Sequence, residues 1–163
     1  MTFTVVIPTK NRPKELTVIF NSIITQTRIP DQIIIVDQSN KKNVIEEELR
    51  HLLKNSNLKL IYIHDESING LVEAKATSLK YNSCDYISFF DDDIVLEKEY
   101  FDEIEKILKK DNSIVGLNGK ILNYPKLPFL KKKIFGMTHI GIFKDNRINS
   151  QLNNSNSDKL ILL

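Results

Sequence analysis

The chain has 163 residues, 41% hydrophobic and 27% charged, with a formal net charge of +2. That is one domain's worth of an ordinary globular protein, and it gives no reason to invoke a polyanionic partner such as nucleic acid. The single cysteine, Cys84, excludes an internal disulfide framework, and the chain reads as cytoplasmic. The first residues lack a basic start followed by a long apolar stretch, and no apolar run reaches the length of a membrane span.

Strand and helix signals alternate from the start. Phe3 to Ile7 is a β-branched run ended by Pro8. Pro13 then stands where a first helical turn tolerates it, and Leu16, Ile19, Phe20, Ile23 and Ile24 recur at helical spacing. Gln32 to Val36 reads as a strand buried on both faces. Val44, Ile45, Leu49, Leu52 and Leu53 stripe a second helix, and Leu58 to Ile63 is a third strand. Asn69-Gly70 is a turn opening a helix over Leu71 to Tyr81. Tyr86 to Phe90 is a fourth strand, and Tyr100, Phe101, Ile104, Ile107 and Leu108 mark a fourth helix.

A fifth strand is expected over Ser113 to Leu117. Past Asn118 the rhythm breaks at Pro125, Pro128 and the three lysines from Lys131. Gly136 to Lys144 reads as a further strand, Asn149 to Asp158 as a polar loop, and Lys159 to Leu163 as the opening of a strand. Strand and helix in alternation predict an α/β fold: a mostly parallel sheet with helices on both faces.

In such sheets ligands sit at the carboxyl ends of the strands, near the point where strand order reverses. The residues expected there are Pro8 to Pro13, Asp37 to Asn40, His64 to Glu66 with Asn69-Gly70, and Asp91-Asp92-Asp93. The aspartate triple is the sharpest of these. Three adjacent carboxylates repel one another, and after the apolar Ile87 to Phe90 free solvation is not expected. A hard cation, Mg²⁺ or Mn²⁺, relieves that repulsion with one or two carboxylates plus substrate phosphates. Asp91 and Asp93 can point to the same side. A helix-capping loop is the plainer explanation, but one Asp would suffice for that.

The other candidates are weaker singly. Asp37 fits either a hydrogen bond to a nucleotide base or ribose, or an Asx-turn closed with Gln38-Ser39-Asn40. Lys10, Arg12 and Lys75 can face phosphates, although a lone lysine is more often a solvated charge. Gly70 allows close backbone approach or a positive φ.

Together these segments resemble glycosyltransferase family 2, of the GT-A fold. The matching stretches are Val5 to Pro13, Ile34 to Ser39, Asn69 to Lys75 and Phe89 to Asp93, in the family's order and over about the first 120 residues. The resemblance implies a Rossmann-like domain whose residues 1–120 hold a nucleoside-diphosphate-sugar, commonly a UDP-sugar, while residues 121–163 begin an acceptor-side region. It implies that Pro8, Thr9, Asn11 and Arg12 line the nucleotide pocket and that Asp37 binds the base. Gly70 belongs to the same pocket, and Lys75 stands near the diphosphate. Asp91, Asp92 and Asp93 match the family's DxD element, with Asp91 near the ribose and both Asp91 and Asp93 as metal ligands. The implied activity is metal-assisted sugar transfer to a hydroxyl of a glycan or lipid-linked acceptor.

Gln38 stands where the family often has a second acid. More consequentially, no Glu follows Glu105, and Asp111, Asp145 and Asp158 lie in poor contexts for the general base of an inverting enzyme. The acceptor part is therefore expected to be incomplete, which leaves a nucleotide-sugar-binding fragment as the alternative. His139 is more plausible as a structural histidine than as a metal ligand. Pro128 to Lys133 suits either a solvated basic loop or peripheral contact with the inner face of the membrane. A haloacid-dehalogenase-like phosphatase with Asp91 as nucleophile leaves Pro8-Thr9 and Asp37 unexplained. A Rossmann dehydrogenase is disfavoured by the absence of a Gly-x-Gly-x-x-Gly after the first strand.

Overall fold

The computed structural model divides the chain into two compact units, Met1–Asp111 and Asn112–Leu163. It describes residues 1–40, 45–54, 56–111, 113–120 and 122. The first unit runs β1 (Phe3–Thr9), α1 (Pro13–Ile24), β2 (Gln32–Asp37), α2 (Ile45–Leu52), β3 (Lys59–His64), α3 (Leu71–Leu79), β4 (Tyr86–Phe89) and α4 (Tyr100–Lys110). Each predicted element of this unit is present, displaced at its ends by one or two residues. Val44, expected in the second helix, lies outside the described residues, as do the stretches 136–144 and 149–163.

The four strands form one parallel sheet in the order β3-β2-β1-β4. All of β1 and β2 are buried, which is why both read as continuous apolar runs rather than alternating ones. The order dictates the layers. The β1-to-β2 and β2-to-β3 connections step one way across the sheet, whereas β3-to-β4 steps back past β1. Right-handed crossovers therefore put α3 on the opposite face from α1 and α2.

Packing agrees. Val6, Ile34 and Val36 meet Ile68 and Ala74, the latter on α3, on one face. On the other, Phe3 lies 5.9 Å from the Phe101 ring of α4, and the Phe101 amide donates to Gln26 just beyond α1. α1 begins with Pro13 and buries Leu16, Ile19, Phe20 and Ile23. That is one stripe of a 3.6-residue period, each side chain worth roughly 1.5–3 kcal/mol of burial. α4 places Asp102 and Glu103 in its first turn and Lys109 and Lys110 in its last, complementing the helix dipole.

The amino ends of the strands are tied by a polar cluster. Thr4 Oγ1 lies 2.9 Å from Gln32 Oε1 and 2.6 Å from Asn82 Oδ1, and Gln32 Nε2 donates to the Tyr81 carbonyl at 3.0 Å. The carboxyl ends are left for the site.

The fifth strand expected over Ser113 to Leu117 is not formed: residues 113–117 carry no strand. Val115, in the apolar run that suggested it, is 94% exposed. Among the described residues no helix is long and apolar enough to cross a membrane.

Candidate functional site: the cleft at the strand tips

Strand order reverses between β1 and β4, and a cleft of about 510 Å³ opens there. It is lined by Pro8 to Arg12, Gln38, Leu71 and Asp91 to Asp93. Its volume falls in the ordinary range for a small-molecule site. Four chain segments meet at it, and each is fastened to its neighbour by specific bonds.

The β1 loop is joined to the acidic turn. Thr9 Oγ1 donates to Asp92 Oδ2 at 2.7 Å, and Arg12 Nη1 donates to Asp92 Oδ1 at 3.0 Å. Asp92 is thereby buried, at 6% exposure, with both carboxylate oxygens engaged. Arg12 Nη1 also reaches Asp93 Oδ2 at 3.3 Å. Hydrogen bonding to Asp92 and the nearby carboxylate charges raise the Arg12 pKa, so its charge is permanent in any working range of pH. Asp91 and Asp93, on either side, are exposed. The triple thus splits: its middle member is buried against the first-strand loop and its outer two are exposed at the cleft. The expected desolvation holds for Asp92 alone, because only there do Thr9 and Arg12 together engage both carboxylate oxygens.

The β1 loop is also joined to the β2 tip. The Gln38 amide donates to the Thr9 carbonyl at 2.9 Å, and the Asn11 amide donates to Ser39 Oγ at 2.8 Å. Asn11 adopts φ 57°, the left-handed region that asparagine tolerates better than most residues. The β2 tip is joined in turn to α3, where the Gly70 amide donates to Gln38 Oε1 at 3.0 Å. Gly70 has φ 90° and ψ 175°, a backbone conformation open essentially to glycine alone.

Asp37 lies behind this surface rather than on it, at 1% exposure. Its Oδ1 accepts from the Ser39 amide at 2.9 Å and from the Ser39 hydroxyl, and its Oδ2 accepts from Tyr62 at 2.7 Å. The Asx-turn is therefore present. Burial, and then the hydrogen bond to Asp37, push the Tyr62 pKa well above the usual phenol value. His64 Nε2 donates to the Ser39 carbonyl at 2.9 Å.

Lys75 stands over β4, its Nζ 5.2 Å from the centre of the Phe89 ring. Of the residues named from sequence, Pro8, Thr9, Asn11, Arg12 and Asp91 to Asp93 come together at the cleft. Gly70 touches it through Gln38, and Asp37 and Lys75 do not line it. Sequence reasoning missed Leu71 as a lining residue. Gln38 was expected at the tip of β2, but its bond to the Gly70 amide depends on where Gly70 falls in space. Tyr62 was missed because its phenol reaches Asp37 across the β2–β3 ladder, where Asp37 itself is in register with His64.

The chain matches Glycosyl transferase family 2 over residues 4–158. It belongs to that family. An uncharacterized glycosyltransferase of Haemophilus influenzae is 23% identical over 110 residues, covering 68% of this chain and 35% of that protein. Among solved structures, residues 1–349 of S. aureus TarS in complex with UDP superpose with a TM-score of 0.61 at 22% identity, covering 78% of this chain and 38% of that one. The mannosyltransferase PcManGT of Pyrobaculum calidifontis, in complex with GDP-Man and Mn²⁺, gives 0.61 at 19% identity, covering 73% and 35%. At these identities the likeness establishes the fold, the GT-A type of mostly parallel sheet expected from sequence. The chain spans a little over a third of the length of these relatives.

Proposed function

We propose that this family 2 chain binds a nucleoside-diphosphate-sugar in the cleft between β1 and β4 and forms the donor-binding part of a glycosyltransferase. The observation that carries the reading is the fastening of Thr9 and Arg12 to Asp92, which draws the first-strand loop and the acidic turn into one wall. The donor is a UDP-sugar, and the sugar passes to a hydroxyl of a glycan or lipid-linked acceptor at the cytoplasmic face of the membrane. Pro8, Thr9 and Asn11 would line the nucleotide pocket. Arg12 would meet the diphosphate. Gly70 would hold the backbone close through Gln38, while Asp37 would act on the base side and Lys75 near the phosphates after some rearrangement of α3.

The donor set suits a hard divalent cation. Among the described residues no three His, Cys, Asp or Glu side chains converge on one point. Mg²⁺ and Mn²⁺ need no such cage, since they take one or two carboxylates and complete their shell with water and phosphate oxygens. Asp91 and Asp93 are exposed at the cleft and would hold the ion, with Asp92 fixing the turn that carries them. When bound, the ion would neutralise charge on the departing nucleoside diphosphate. The protein's own contribution is to orient the donor and to place the Arg12 charge beside it.

Calorimetric titration of the chain with UDP and GDP, with Mn²⁺ and with EDTA, tests this. UDP affinity that depends on Mn²⁺ and exceeds that of GDP is expected. Equal UDP affinity in EDTA would sink the metal-assisted reading, and preference for GDP would replace the donor base. Incubation with a phosphate ester separates the transferase from a phosphatase, because only the latter would form a phosphoenzyme that Asp91→Asn abolishes.

A further inference from the structure

Arg12 spans two unlike carboxylates with one nitrogen. Its Nη1 is 3.0 Å from Asp92 and 3.3 Å from Asp93. The Asp92 side chain is 8% exposed and its second oxygen is held by Thr9, whereas the Asp93 side chain is 58% exposed. The first contact is to a buried carboxylate that Thr9 also anchors. The second is longer and solvent-screened, the kind of ion pair that is worth little and is easily exchanged. Both contacts use Nη1, so the guanidinium donors on Nε and Nη2 lie outside them. A planar guanidinium anchored on one carboxylate while presenting further N–H groups is well suited to phosphate oxygens.

Resting on the donor-binding reading above, we propose that Arg12 is a positioning residue that holds Asp93 in place of a divalent cation and exchanges Asp93 for the donor diphosphate when that cation binds. Before the ion binds, the guanidinium offsets the repulsion among the aspartates and keeps the turn assembled. When the ion takes Asp93, Arg12 keeps its bond to Asp92 and turns its remaining N–H groups to the diphosphate. Arg12 thus opposes the ion alone and favours the ion together with nucleotide, which couples the two ligands.

The test reads the two ligands separately on the full chain. Mn²⁺ binding without nucleotide is followed by the electron paramagnetic resonance signal of the free ion, and UDP binding at saturating Mn²⁺ by calorimetry. Arg12→Met is expected to bind Mn²⁺ about two- to fivefold more tightly, because a competing charge is gone. The same variant is expected to bind UDP about tenfold more weakly. In an Asp93→Asn background, Arg12→Met is expected to leave Mn²⁺ affinity where Asp93→Asn set it. Arg12→Gln retains a hydrogen bond to Asp92 without the charge and carries the same expectation should the methionine variant unfold, as circular dichroism would reveal.

Mn²⁺ affinity that is unchanged or weaker in folded Arg12→Met or Arg12→Gln, beside Mn²⁺-dependent UDP binding by the unaltered chain, overturns this inference alone. Failure of the unaltered chain to bind UDP with Mn²⁺ overturns the donor-binding reading as well.

Discussion

Thr9 and Asp92 stand 83 residues apart in the chain and are joined by a 2.7 Å hydrogen bond. The bond ties the end of the central strand to the turn after the edge strand, at the place where the sheet reverses its order. Asp92 is inside the fold, so its loss is more than the loss of a surface charge. Asp92→Ala leaves the Thr9 hydroxyl and the Arg12 guanidinium without their shared acceptor. Removing the acceptor of a charge-assisted pair is expected to cost about 2–3 kcal/mol in urea unfolding, with UDP affinity falling in parallel. A variant as stable as the unaltered chain would show that the bond contributes nothing to the fold.

Gly70 offers a cleaner separation of strain from crowding. A Cβ placed on it meets no atom within 4 Å, yet its φ of +90° is one that other residues avoid. Gly70→Ala is therefore expected to cost about 1–3 kcal/mol through backbone conformation alone. The same change should weaken UDP binding by displacing the amide that donates to Gln38. Thermal unfolding of Gly70→Ala within the error of the unaltered chain would contradict this.

Tyr62 carries an alkaline signature. Burial, together with its bond to Asp37, raises its pKa in the folded state. Its contribution is fully present below the unfolded phenol value of about 10 and is lost as pH climbs above it. Tyr62→Phe is expected to cost about 2 kcal/mol near neutral pH. The gap from the unaltered chain should narrow above about pH 10, where the unfolded phenol ionises. Urea midpoints taken from pH 7 to 11 check this, and a gap that widens with pH would refute it.

Asp85 works in the opposite direction. The Thr2 amide, at 2.8 Å, and the Thr2 hydroxyl, at 3.0 Å, hold its carboxylate below the ordinary value. The contribution is present above the unfolded carboxyl pKa of about 3.9 and disappears as pH falls through the folded value. Asp85→Asn should therefore be less stable than the unaltered chain near pH 7 and indistinguishable from it in strong acid. Melting curves from pH 7 to 2 would show the two converging, and parallel curves would refute the assignment.

Much of the first unit was legible because periodicity and punctuation agreed. Pro13 opens α1 where expected, and the continuous Gln32 to Val36 run marked a strand covered on both sides. The cleft was legible to the extent that it depends on strand tips, since a parallel sheet brings all of them to one edge. Pairings across that edge were not. That Asp92 would be the buried member of its triple follows only once Thr9 is known to face it. The Tyr62–Asp37 bond depends on a lateral register that no local pattern encodes. Val115 shows the converse failure, in which strand propensity alone yields no strand.

The register also sets an order of events during synthesis. Phe3 is in ladder with Tyr86, while Thr4 is already in ladder with Gln32. The central strand can thus acquire its first partner long before its second has been translated. At the usual 5–20 residues per second, roughly 3–10 s separate the two. Throughout that interval one side of a strand that ends up wholly buried presents unsatisfied peptide groups, which makes it a natural point of engagement for a chaperone.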